Sequence, residues 1–208
     1  MLLGNIRVEL FGHASVGIFG SKIIYIDPYI LPASTEKADI ILVTHEHYDH
    51  CAPDKVKQLQ KPGTVIVANP GCAPKFSGDV RTLSPGGRLM IGGVELIGTH
   101  SYNTNKPYHL RGYVTGFIVR IDGKKIYHPG DTDYVPEMKQ LAKEWIDVAF
   151  LPVGGTYTMT AEEAVEAARV IKPKIAVPIH YGSIVGSARD AERFKKLLVG
   201  SGIDVRIL

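Results

Sequence analysis

Short β-branched runs separated by glycine, proline and asparagine set the rhythm of the first hundred residues: IRVELFG (6–12), SVGIFG (15–20), KIIYID (22–27), ADIILVTH (38–45), TVIVAN (64–69) and VELIGTH (94–100). Runs this short, rich in Val and Ile and bounded by turn formers, predict strands. Between them APDKVKQLQ (52–60) places Ala52, Val56 and Leu59 at helical spacings with Lys57 and Gln58 turned away, which predicts a short amphipathic helix. The second half repeats the theme with strands at GFIVRID (116–122), KKIYHPG (124–130), IDVAFLPVGG (146–155), KIAVPIH (174–180) and the closing IDVRIL (203–208). Helices are predicted near 135–143, over 160–171 and across ARDAERFKKLLV (188–199); Thr160 followed by Glu163 has the form of a capping box for the second of these. The halves look alike in content although no sequence repeat is visible. Strands interleaved with a few helices predict two sheets packed face to face with helices outside, an α/β sandwich forming one domain over residues 1–208.

Composition narrows the class. With 24 basic and 21 acidic side chains scattered along the chain and a net charge of +3, there is no polybasic stripe of the kind nucleic-acid binders carry. Only Cys51 and Cys72 are present, too few for a disulfide framework, so both are expected as small buried apolar groups in a reducing, cytoplasmic setting. No apolar stretch approaches the length of a membrane span, and the first residues lack the pattern of a cleaved signal.

The chemistry concentrates in ILVTHEHYDHC (41–51), where three histidines and two acids crowd the end of an apolar run. Other apolar runs end in a metal-ligating residue too: VELIGT in His100, KKIYHPG in Asp131 and KIAVPI in His180. Carboxyl ends of strands in α/β folds converge on one cleft, so ligands distant in sequence can pool there. His45 and His47, two apart on an extended segment, project to one side and can grip a single ion. Adding His100 gives a three-histidine site; Asp49, His50 and His180 make a second, mixed site, with Asp131 free to bridge. Imidazoles with a few carboxylates suit zinc, manganese or iron, and two such cations can jointly activate water for a displacement.

This set resembles the metallo-β-lactamase superfamily, whose His-x-His-x-Asp-His signature stands here as His45, His47, Asp49 and His50. IDP around Asp27, GTHS with His100, HPGDT with Asp131 and PIHYG with His180 extend the similarity over nearly the whole chain. FGHASV, YHPGDTD, FLPVGGTYTM and VPIHYG are most similar to the compact metal-dependent hydrolase branch that includes L-ascorbate-6-phosphate lactonase. The resemblance implies an αββα sandwich, two divalent metal ions, zinc first with manganese or iron as alternatives, and hydrolysis by metal-activated water. It makes Asp27 a group that hydrogen-bonds beside the metals. Only 28 residues follow His180, short of the helical or nuclease additions of other branches.

Further residues enter as candidates. Asp49, Asp27 and His128 are the candidates for catalytic work; His128, three residues before Asp131, either donates a proton or supports the aspartate's loop. Lys106, His109 and Arg111 in the loop SYNTNKPYHLRG (101–112) would suit an anionic substrate, with His13, Tyr157 and Tyr181 as further substrate contacts. The expected function is hydrolysis of a small phosphoester, lactone or ester by a dinuclear centre. A non-catalytic or regulatory metal-binding protein is the alternative, and a nuclease ranks lower for want of a contiguous basic surface. The partner is a small molecule; neither membrane nor nucleic acid is expected, and homo-oligomerisation has no visible marker.

Overall fold

The computed structural model describes residues 1–208. Fourteen strands form two seven-stranded sheets, each in strict chain order. The first holds β1 (Leu2–Leu3), β2 (Ile6–Gly12), β3 (Ser15–Phe19), β4 (Ile23–Ile26), β5 (Ile40–Val43), β6 (Val65–Ala68) and β7 (Asp79–Thr82). The second holds β8 (Arg88–Ile91), β9 (Val94–Ser101), β10 (Val114–Ile121), β11 (Lys124–His128), β12 (Val148–Pro152), β13 (Ile175–Ile179) and β14 (Asp204–Val205). Each begins antiparallel and turns parallel from its fourth strand, β4 to β7 and β11 to β14. The likeness of the halves that composition suggested is thus a likeness of topology.

The period of two along the strands sorts side chains into layers. Ile24, Ile26, Ile40 and Leu42 point between the sheets, meeting Phe117, Val119, Phe150 and Val177 of the second sheet in the largest apolar cluster. Tyr25, Ile41, Val43 and Ile66 face outward beneath Val56 and Leu59 of α1 (Pro53–Leu59). On the far side, α2 (Ala161–Ile171) and α3 (Ala188–Leu197) cover Ile118, Tyr127, Ala149 and Leu151. Layers therefore run helix, sheet, sheet, helices, the four-layer sandwich expected. Thr160 caps α2 as its sequence predicts, accepting from the Glu163 amide at 3.2 Å while Glu163 Oε2 accepts from the Thr160 amide at 2.8 Å.

Two local expectations differ. The helix near 135–143 is a 3₁₀ helix, Pro136–Glu144, with Val135, Met138 and Leu141 buried at spacings of three, which suits three residues per turn. The closing strand contracts to β14, and β7 and β8 were not foreseen: β7 carries no apolar run, and in β8 the run is only Leu89–Ile91, with the exposed Met90 hiding the alternation.

Where the site forms, the sheets are stitched to each other. The Thr115 amide donates to the Thr44 carbonyl at 2.9 Å, and the His180 amide to the His13 carbonyl at 2.8 Å. His128 Nε2 lies 2.9 Å from the Ala14 carbonyl. No helix is long and apolar enough to cross a membrane.

Candidate metal centre

Two groups of potential ligands lie side by side, His45, His47, His109 and Asp131 in one, His13, Asp49, His50 and His180 in the other. They come from the carboxyl ends of β2, β5, β11 and β13 and from the loop after β9. In the first group His47 Nδ1 is 3.2 Å from His45 Nε2 and 3.1 Å from His109 Nε2, and Asp131 Oδ2 is 3.4 Å from His109 Nε2. Nitrogens held about 2.0–2.1 Å from a tetrahedral zinc lie roughly 3.4 Å from one another, so the set fits such an ion. In the second, Asp49 Oδ2 is 2.9 Å from His13 Nε2, 3.6 Å from His50 Nε2 and 3.8 Å from His180 Nε2. Asp131 touches both groups: Oδ1 is 3.1 Å from His50 Nε2 and Oδ2 is 3.1 Å from His180 Nε2.

Buried polar atoms without hydrogen-bond partners converge here. His50 Nε2, His180 Nε2 and Asp131 Oδ1 are all enclosed and make no well-aligned hydrogen bond, only the close contacts given above, although buried polar groups are ordinarily satisfied. Such orphans are what a divalent cation would satisfy. The supporting hydrogen bonds fix which ring nitrogen is left free. His50 Nδ1 sits 2.7 Å from Asp27 Oδ2, which leaves Nε2 for a metal. His45 Nδ1 is 2.9 Å from Thr44 Oγ1, and that hydroxyl donates to Asp27 Oδ2 at 2.7 Å; His109 Nδ1 is 3.0 Å from Asn103 Oδ1. Carbonyl and carboxylate partners of this kind orient ligating imidazoles and raise their basicity.

The electrostatics follow. Burial pushes the His50 imidazole down, but the Asp131 and Asp27 carboxylates outweigh it and hold its pKa well above the ordinary value. His45 goes well below, through burial first and the neighbouring His50 second, and burial brings His109 down to about 4. Asp131 stays well below the usual carboxylate range: burial opposes this, and His180 and His50 overcome it.

Backbone strain accompanies the chemistry. His13, Asp27 and His180 have φ of 51°, 47° and 60°, a left-handed conformation that costs a non-glycine residue on the order of 1–3 kcal/mol. It turns each chain sharply at its strand end so that the side chain enters the centre. Gly130, at φ 67°, precedes Asp131, and a Cβ there would stand 2.8 Å from Thr44 Cβ, so only glycine lets the aspartate's loop approach β5.

Of the ligands read from sequence, His45, His47, Asp49, His50, Asp131 and His180 come together. His100 does not. β9 continues through Ser101, so His100 is still inside the ladder opposite Thr115 and borders a depression beside Glu137 and Met138. His109, expected to contact substrate, stands in the place given to His100; a histidine in a polar loop offered no strand-end signal. His13 likewise sits among the metal-capable groups. His128 is fully enclosed, with Nδ1 accepting from the Gly130 amide at 3.1 Å and Nε2 on the Ala14 carbonyl, so both ring nitrogens are engaged within the fold. Lys106 binds Asp133 Oδ1 at 2.5 Å and the Thr158 carbonyl at 2.9 Å, and Arg111 binds Glu137 at 2.6 Å; both cations are paired with carboxylates and neither lines the cleft. Tyr181 packs into the apolar cluster beneath α2, whereas Tyr157 lines the cleft. Sequence reasoning missed Thr44, Asn103 and Asp133 altogether, since ordinary polar residues become supports only through the fold.

Above the two groups opens a cleft of about 290 Å³ whose floor is His47, Asp49, His109 and Asp131. Residues 7–180 match the family model described as the β-lactamase superfamily domain. The chain belongs to the β-lactamase superfamily. Among its superfamily relatives, the UPF0173 metal-dependent hydrolase of Thermococcus kodakarensis is 38% identical, over 98% of this chain and 96% of its own. A crystal structure of a metal-dependent hydrolase from Parabacteroides distasonis superposes with a TM-score of 0.88 at 37% identity, covering 97% of this chain and 92% of that one. Igni18, a metallo hydrolase of Ignicoccus hospitalis, superposes at 0.82 with 26% identity, covering 98% and 94%.

Proposed function

We propose that this superfamily member is a metal-dependent hydrolase with a dinuclear centre, acting on a small ester, lactone or phosphoester. One observation carries the reading: two ligand groups share the Asp131 carboxylate, whose oxygens lie 3.1 Å from both His50 and His180 and 3.4 Å from His109. His45, His47 and His109 would hold one cation, His50, His180 and Asp49 the other, with Asp131 between. Zinc is the first choice for this nitrogen-rich set, with manganese and iron as alternatives. A pair of such cations lowers the pKa of water and offsets charge developing on the attacked centre.

The chain's own groups do the rest. Asp27 orients His50 directly and His45 through the Thr44 hydroxyl, and Asn103 orients His109. Asp49 borders the cleft and is assigned to take the proton from attacking water and return it to the leaving oxygen. The relatives named metal-dependent hydrolases support the reaction class.

The test pairs elemental mass spectrometry on the purified protein with a hydrolysis screen over carboxylic esters, lactones and bis(p-nitrophenyl) phosphate. About two equivalents of metal are expected, with turnover that Asp131→Ala abolishes as metal is lost. One equivalent or fewer after reconstitution, with no substrate turned over, would overturn the reading in favour of a non-catalytic metal-binding protein.

A further inference from the structure

The cleft walls differ sharply from its floor. Four residues rise above the ligands: Tyr48, Tyr108, Tyr157 and Ile184. They come from four separate loops, after β5, β9, β12 and β13, so their meeting is a property of the fold rather than of one segment. Tyr48 adjoins Asp49 in the chain and Tyr108 adjoins His109, which puts an aromatic ring beside each metal group. Tyr108 meets Tyr157 edge to face at 4.8 Å between ring centres, and Tyr48 meets Tyr29 the same way at 5.8 Å. These pairings hold the rings in place, yet Tyr48 stays 65% exposed, Tyr108 43% and Ile184 38%. Large apolar groups left open around a reactive floor are poised to cover something.

Charge decides what that is. No lysine or arginine lines the cleft. The two cations nearest in sequence are held elsewhere, Lys106 by Asp133 and Arg111 by Glu137 with its guanidinium 5.1 Å over the Tyr102 ring. A phosphate or carboxylate beyond the scissile group would therefore find no cationic partner on the walls. A flat, uncharged group would find three tyrosine rings and an isoleucine.

We propose that Tyr48, Tyr108, Tyr157 and Ile184 form the specificity pocket of this enzyme, and that its substrates are uncharged carboxylic esters or lactones bearing an aryl or comparably flat apolar group. This rests on the hydrolase reading above and narrows it. The reaction balances with water alone: water oxygen forms a bond to the acyl carbon, the acyl C–O bond breaks, the leaving oxygen takes one proton, and the carboxylic acid ionises. The apolar group stays in the tyrosine cleft while the carbonyl lies over the floor, so wall contacts set KM and the selectivity ratio.

The test compares kcat/KM of the metal-loaded protein for phenyl acetate, methyl acetate and p-nitrophenyl phosphate, in the native chain and in Tyr48→Ala, Tyr108→Ala and Arg111→Ala. Phenyl acetate is expected to be preferred over methyl acetate beyond the difference in their uncatalysed rates, with p-nitrophenyl phosphate the poorest. Each tyrosine variant should lower the phenyl-to-methyl ratio about tenfold, the upper range for one aromatic contact, through KM and at full metal content. Arg111→Ala should leave the ratio as it is. Both tyrosines are exposed enough for the variants to fold, and metal content checks that the floor is intact. Preference for the phosphate ester, or a ratio indifferent to both tyrosines, would overturn the pocket while leaving the hydrolase reading standing. Failure to hydrolyse any of the three, or any substrate of the wider screen, would count against the hydrolase reading itself and the pocket with it.

Discussion

At the scale of single residues, the sharpest contrast is between two histidines nine positions apart. His109→Ala removes a nitrogen 3.1 Å from His47 Nδ1 and 3.4 Å from Asp131 Oδ2, so it should cost one metal equivalent and most hydrolytic turnover. His100→Ala, in the strand outside both groups, should keep metal content and turnover. Elemental analysis of the two variants separates them, and the reverse result would restore the assignment that sequence favours. That assignment shows where legibility ends. Clustered ligands such as His45, His47, Asp49 and His50 announce themselves because three imidazoles within six residues have few structural uses. A strand-end rule then picks out Asp131 and His180, which do stand just past β11 and β13. It misfires on His100 because β9 runs farther than its apolar residues do. It cannot find His109, whose place depends on how the loop folds back so that Asn103 accepts from both the His109 amide and its ring.

Among the elements, those with a clean apolar period were foreseen and those without were not. α2 is the best case: Ala161, Ala164, Val165, Ala168 and Ile171 form its buried face, and both halves of its capping box are made. Thr160→Ala should therefore lower stability by about 1 kcal/mol, read as a shift of the denaturation midpoint with metal content unchanged. An unaltered midpoint would mean that packing beneath α2 alone sets its start. The edge strands β7 and β8 show the opposite case: β7 lies largely in solvent, and in β8 the exposed Met90 between the partly buried Leu89 and Ile91 hides the alternation. The segment after Pro136 is intermediate: its apolar residues suggested a helix, but their spacing of three belongs to the tighter 3₁₀ form.

For the whole molecule, the centre is a clasp between sheets. His13, His45, His47, Asp49 and His50 come from the first half, and His109, Asp131 and His180 from the second. A ligand that binds only the folded state stabilises it by about 4 kcal/mol at a thousandfold excess over Kd. Stripping metal with a chelator should then lower Tm on the order of 10 °C for a chain of this size, recovered on adding zinc. A Tm indifferent to chelation would mean that the inter-sheet hydrogen bonds at Thr44 and His13 hold the halves without help. The four-layer architecture itself was legible, because runs buried on both faces, such as Ile40–Val43, require layers on either side. The strict chain order of each sheet bears on how the molecule is made. A nascent chain grows from its amino terminus, and every strand here after the first of each sheet finds its neighbour already synthesised. When Thr82 has emerged, one whole sheet with five of the eight metal-capable side chains can already be in register, its inner face waiting for the other. Synthesis of the second sheet can then proceed against that template, and the centre, needing His180, can close only once β13, the penultimate strand, is in place.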